Sequence, residues 1–172
     1  MKLVYLCYEK IVITIIPLFT FSQKDIERYK VYDTNNIYIS ILLDSATGLI
    51  WQLQIGLGDS SSRMKTVLND VQFAVTIESM TEQHNASMKS WEETYKDNPD
   101  FTEKEIEYNK PLTLEKKISL SSALNMIAEN GRFKLYPTGN TYNFIMVDVI
   151  DGRTWQVQWN IDEDSRFVNR IW

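Results

Sequence analysis

The sequence predicts an α+β fold, mostly antiparallel, with two pseudo-repeated three-stranded meanders, one packed amphipathic helix and an acidic linker. Three observations predict it. Arg28–Gln54 (RYKVYDTNNIYISILLDSATGLIWQLQ) aligns without a gap on Arg132–Gln158 (RFKLYPTGNTYNFIMVDVIDGRTWQVQ), at a constant offset of 104 residues. The last stretch of each copy alternates apolar and polar residues, the period of a strand with one buried face. Ser119–Asn130 instead spaces Leu120, Ala123, Leu124, Ile127 and Ala128 as one apolar helical stripe.

Each copy reads as strand, turn, strand, turn, strand. Tyr29–Asp33 is the first strand, and Asp33–Asn36 is a turn because Asn and Asp tolerate left-handed geometry and cap their own backbone. Tyr38–Leu43 is the second strand. Asp44–Gly48 (DSATG) is the second turn, with Gly48 supplying a positive φ and Asp44 accepting loop N–H groups. Leu49–Ile55 is the third strand. The second copy changes turn positions only among turn formers: Pro137 for Asp33, Gly139 for Asn35, DVIDG for DSATG. In the third strands Trp155, Val157 and Trp159 share a face, as do Trp51, Leu53 and Ile55. Gln156 and Gln158, like Gln52 and Gln54, take the other face. Each third strand is therefore expected to bury its Trp face and present its glutamines outward. Short apolar stretches follow at Met64–Leu68 and Phe167–Ile171, and the first copy has room for one more strand at Val71–Ile77.

Four segments follow: a signal peptide over 1–22, the first meander over 23–77, an acidic linker with a short helix over 78–118, and the helix plus second meander over 119–172. The linker is a polar excursion in which Thr102 and Glu105 form a capping box. The long helix is expected to start at Ser119, end at Asn130-Gly131 and lay its stripe on the sheet.

A net charge of −5 argues against nucleic acid and anionic membranes as partners. Lys2, the apolar run Ile11–Phe21 and Ser22 read as an export signal, the run being short for a membrane span. The expectation is an exported protein of the periplasm or cell surface, with no membrane attachment after signal removal. The one cysteine, Cys7, lies inside that segment, so the remainder has no thiol chemistry.

No catalytic set emerges. His84 is the sole histidine and has no triad motif around it. The six glycines never form a phosphate-binding loop. Asp162, Glu163 and Asp164 cluster without the alternating spacing of a calcium loop. No catalytic residue, metal site or cofactor is therefore assigned. Trp and Tyr beside amides suit a ligand face, in which rings stack and amides take hydroxyls. The candidate ligand residues are Tyr38, Gln52 and Gln54, with Tyr142, Gln156 and Gln158 as their counterparts. The expected function is a non-enzymatic exported binding or interaction protein, its partner an unknown protein or glycan. The alternatives are an envelope carbohydrate-binding module and a small carboxylate-dependent hydrolase.

Tyr136–Trp159 (YPTGNTYNFIMVDVIDGRTWQVQW) resembles a family of small uncharacterised exported proteins, seen mainly in Bacteroidota. They share Y-P-T-x-N … D-x-x-x-G-R-x-W-Q-V-Q-W. The first copy departs from it at Asp33, Leu49 and Ile55. The resemblance implies a repeated β module and export, and no catalytic residues. Asp44, Thr47, Gly48 and Trp51 also look like the hairpin of a quinoprotein-type propeller blade. Two copies so far apart cannot close a propeller, so that likeness is one of hairpin physics.

Overall fold

The computed structural model describes residues 26–56 and 63–172. The expected signal segment, 1–22, lies outside the described residues. The fold is α+β, with two four-stranded antiparallel sheets whose strands pair in sequence order. Sheet 1 holds β1 (Tyr29–Asp33), β2 (Ile39–Asp44), β3 (Ile50–Gln54) and β4 (Met64–Val67). Sheet 2 holds β5 (Phe133–Pro137), β6 (Asn143–Asp148), β7 (Thr154–Gln158) and β8 (Phe167–Ile171). The expected three-stranded meanders are thus four-stranded. The apolar stretches after β3 and β7 fold back and pair, Val67 opposite Trp51 and Arg170 opposite Trp155, which covers an edge that three strands would leave open. Val71–Ile77 is not a strand. Only Val75 bridges, in parallel with Ile127.

The first three strands of the two sheets start and stop 104 residues apart and share one register, with Tyr29 opposite Asp44 and Phe133 opposite Asp148. The shared turn residues explain this. Thr34 donates its hydroxyl to the Ile39 carbonyl (2.7 Å) and accepts the Asn36 N–H, while Asn36 Oδ1 accepts the Tyr38 N–H (2.9 Å). Thr138, Asn143, Asn140 and Tyr142 repeat those bonds. In the next turn Asp44 Oδ1 accepts the Ala46 N–H, and Asp148 Oδ1 that of Ile150. Gly48 and Gly152 close the two loops at φ +79° and +77°, a region that a Cβ disfavours.

The sheets bury opposite faces. In sheet 2 the Trp face is core: Phe133, Leu135, Phe144, Met146, Trp155 and Val157 are buried. In sheet 1 the buried set is Ile39, Ile41, Leu43, Ile50 and Gln52, which occupies the other side of the same backbone. The two sets meet in one core, where Tyr32 lies edge-on to Phe144, with centroids 6.3 Å apart. The expectation that each third strand buries its Trp face therefore holds for β7 and fails for β3. Trp51 and Leu53 stay half-buried, while Gln52 enters the core. The physical reason is that one face-to-face contact between two like sheets, with one sheet's Trp face on the other's reverse face, leaves one Trp face outside. The span after β4 caps the contact. Asn69 Oδ1 accepts the Ile50 N–H (2.7 Å), its amide donates to Gly48 and Val71 carbonyls, and Phe73 stacks on Trp155 at 4.5 Å.

The 78–118 segment is more helical than expected. Helix α1 (Ile77–Thr94) is the main helix, capped by Thr76, and it buries only Met80. Helix α2 (Glu103–Tyr108) has the expected capping box of Thr102 and Glu105. Helix α3 (Leu114–Ala123) starts five residues before the expected Ser119, because Thr113 accepts the Lys116 N–H as N-cap. It ends before Asn130, because Asn125 turns left-handed (φ 51°) and Met126 and Ala128 bond to Val75 instead. Its apolar stripe does not pack on a sheet. Leu120 and Leu124 remain exposed, and α3 lies against α1. No helix among the described residues is long and apolar enough to cross a membrane.

Candidate interaction surface

The open face of sheet 1 is built from the alternate residues of its four strands. Register places Val31, Leu42, Trp51 and Val67 in one row straight across the sheet. Tyr38 and Ile55 lie on the same side nearer one end of the sheet, paired by the Ile55 N–H donating to the Tyr38 carbonyl, with Ser40, Leu53 and Lys65 between them and the row. Val31 is 60% exposed, whereas its counterpart Leu135 is 4% exposed; Ile55 is 47% exposed, whereas Trp159 is 1%. Lys65 stands over the Trp51 ring at 4.0 Å. The row is apolar throughout, exposed at Val31 and Val67 and half-buried at Leu42 and Trp51.

β2 contributes one apolar residue to this face. Its sequence, ISILLD, puts Ile39, Ile41 and Leu43 on the core side and Ser40, Leu42 and Asp44 on the other, where Ser40 and Asp44 are buried and Leu42 is half-buried. In the matching strand β6, NFIMVD, the covered side is Phe144, Met146 and Asp148, and the outer side is Asn143, Ile145 and Val147, so β6 also turns apolar residues outward.

The ion pairs follow the same asymmetry. Arg28 reaches Asp44 at 2.8 Å with the Arg28 side chain 39% exposed, at the edge of the open face. Arg132 reaches Asp148 at the same distance with its side chain 1% exposed, and also donates to the Asn125 and Ile127 carbonyls. Arg153 adds a second cation on Asp148 at 3.0 Å. Burial alone would raise both carboxyls. The arginine hydrogen bonds and the loop N–H donors outweigh it and hold Asp44 and Asp148 below the usual carboxylate range.

The six candidate ligand residues do not gather at one place. Tyr38 and Tyr142 are exposed at equivalent turn ends, and Tyr142 packs on Trp159 at 5.1 Å. Gln52 is in the core, and its Oε1 has no hydrogen-bond partner among the described residues. Gln54 is exposed opposite Ile39, on the reverse side of the sheet from Tyr38. Gln156 donates to Asn143 Oδ1 (3.0 Å) and Gln158 to the Ser165 carbonyl (2.8 Å), so both amides are engaged on the outer side of sheet 2. Strand alternation thus separates each tyrosine from its glutamines. No family model, curated protein or solved structure matches this chain.

The remaining polar clusters serve structure. Asp162 caps the short 3-10 helix Glu163–Ser165 and accepts from the Ser165 hydroxyl, while Glu163 pairs with Arg166. No group of three or more acidic, His or Cys side chains suited to hold a metal occurs among the described residues. His84 lies on α1, and its Nδ1 is buried with no hydrogen-bond partner among the described residues. One open cleft of about 550 Å³ runs beside α1, lined by Ser87, Ser90, Trp91, Tyr95 and Asn109. Sequence reasoning missed the open face of sheet 1, because it placed Trp51 and Leu53 on the covered side of β3.

Proposed function

We propose that this chain is an exported, non-enzymatic interaction protein that works through the open face of sheet 1. The observation that carries the reading is the apolar row Val31–Leu42–Trp51–Val67, exposed at its two ends and half-buried between them, on a sheet whose other face is already core. Removing such a row from water contributes about 25 cal/mol per Å² of apolar area, a driving force that suits a protein partner. Export is supported by the apolar segment Ile11–Phe21 followed by Ser22, and by the resemblance to small exported proteins. The shared turn bonds and register support reading the two sheets as copies of one module.

A glycan-binding reading has one supporting observation, the cleft beside α1, where Trp91 and Tyr95 stand with serine hydroxyls and an amide. A carboxylate hydrolase has less support. The buried carboxylates among the described residues, Asp44 and Asp148, are each held ionised by arginine, the opposite of a general acid.

A photo-crosslinking residue placed at position 67 tests the interaction reading. Covalent protein adducts are expected from position 67, none from an identical probe at the exposed Tyr108, and loss of the adducts when Trp51→Glu is added. Equal adduct yields at 67 and 108, or yields untouched by Trp51→Glu, would contradict it.

A further inference from the structure

The contact inside the molecule supplies a template for what covers a Trp face. Trp155, Met146 and Leu135 of sheet 2 share one core with the reverse face of sheet 1, whose central row is Tyr32, Ile41 and Gln52. Tyr32 meets Phe144 edge-on and its hydroxyl lies 3.5 Å from the Leu135 nitrogen. Asn35 reaches Thr141 at the rim.

Sheet 2 carries a second copy of that covering row on its own reverse face. Tyr136 stands opposite Ile145, and Ile145 opposite Gln156, so Tyr136–Ile145–Gln156 repeats Tyr32–Ile41–Gln52 residue for residue and in the same register. In sheet 1 that row is in the core. In sheet 2 Tyr136 is exposed and Ile145 and Gln156 are half-exposed. Flanking positions match as well, Lys134 for Lys30 and Val147 for Leu43. The molecule therefore ends, at one side, in an uncovered Trp face and, at the other, in an uncovered face of the kind that covers a Trp face.

We propose that the reverse face of sheet 2 in one copy of this chain docks on the open Trp51 face of sheet 1 in a second copy, continuing the internal stack head to tail. This rests on the reading of the open face as an interaction surface and names its occupant. The two faces are different, so the contact is heterologous. Its geometry permits extension or ring closure instead of stopping at a symmetric pair. The open side of sheet 1 would then face Tyr136–Ile145–Gln156 as the Trp155 side of sheet 2 faces the side of sheet 1 that carries Tyr32, whose ring meets Phe144.

Sedimentation of the purified full chain over a concentration series, with two face variants, tests the proposal. Wild type is expected to form dimers and larger species. Trp51→Glu and Ile145→Glu are each expected to be monomeric, and their one-to-one mixture is expected to restore a heterodimer that grows no further, because each retains the face the other has lost. Val31→Lys and Tyr136→Lys, at exposed positions of the same two faces, repeat the experiment should either glutamate variant lose its circular dichroism spectrum. A wild type that stays monomeric overturns the proposal, as does association lost in Trp51→Glu but untouched by Ile145→Glu, which would mean two sheet 1 faces meeting. If wild type is monomeric while the probe at position 67 captures a different protein, the copy-to-copy contact fails and the interaction reading stands. If neither occurs, both fail.

Discussion

Asp148 and Asp44 occupy the same turn and hold the same arginine, yet they differ in what breaking the pair exposes. The Arg132 guanidinium is buried, with Asp148 as its closest carboxylate, Asp151 farther off at 3.9 Å and two backbone carbonyls around it, whereas Arg28 reaches water. Asp148→Asn is expected to cost about 3–5 kcal/mol, because it strands a buried cation, and Asp44→Asn clearly less. Both carboxyls bind protons less tightly in the folded chain than in the unfolded one. Their stabilisation is thus complete above the unfolded carboxylate pKa of about 3.9 and is lost as pH falls through the lower folded value. Urea unfolding of Asp148→Asn and wild type should differ most near neutrality and converge in acid. A gap that widens as pH falls would contradict this assignment. The sequence shows these residues as repeated identities. It does not show that one pair would be sealed and the other left open, because that depends on which sheet face becomes core.

Strands and turns were more legible than helices. Thr34, Asn36, Asp44 and Gly48 act within a few residues, so their bonds follow from local chemistry, and the second copy repeats them. Helix α1 was hidden because it buries one side chain, Met80, and its sequence carries no strong apolar stripe. The stripe that did stand out, around Leu120 and Leu124, stays largely in water, because Thr113 starts α3 early and Asn125 ends it early. A helical layer with so little buried surface opens at lower free energy than the sheet core. Hydrogen exchange should find amides of α2 and α3 far less protected than those of β6 and β7, which flank Met146, Trp155 and Val157. Equal protection in the two regions would show that the helices belong to the same cooperative unit as the sheets.

At the scale of the whole molecule, two sheets of one design are stacked the same way round, so one Trp face is covered and the other is not. Period-two patterning reveals that a strand has a Trp side and a Gln side. It does not reveal which side another sheet will cover, and in β3 the side that enters the core is the one carrying Gln52. The direct test compares the two equivalent tryptophans in dilute, monomeric protein by urea unfolding. Trp155 is buried against Phe73 and Phe133, and Trp155→Ala is expected to cost about 3–5 kcal/mol. Trp51 is half-covered and held mainly by Lys65, and Trp51→Ala is expected to cost about 1 kcal/mol. Equal losses, or a larger loss at Trp51, would mean that the two modules bury the same face, and the account of an open Trp51 surface would fall.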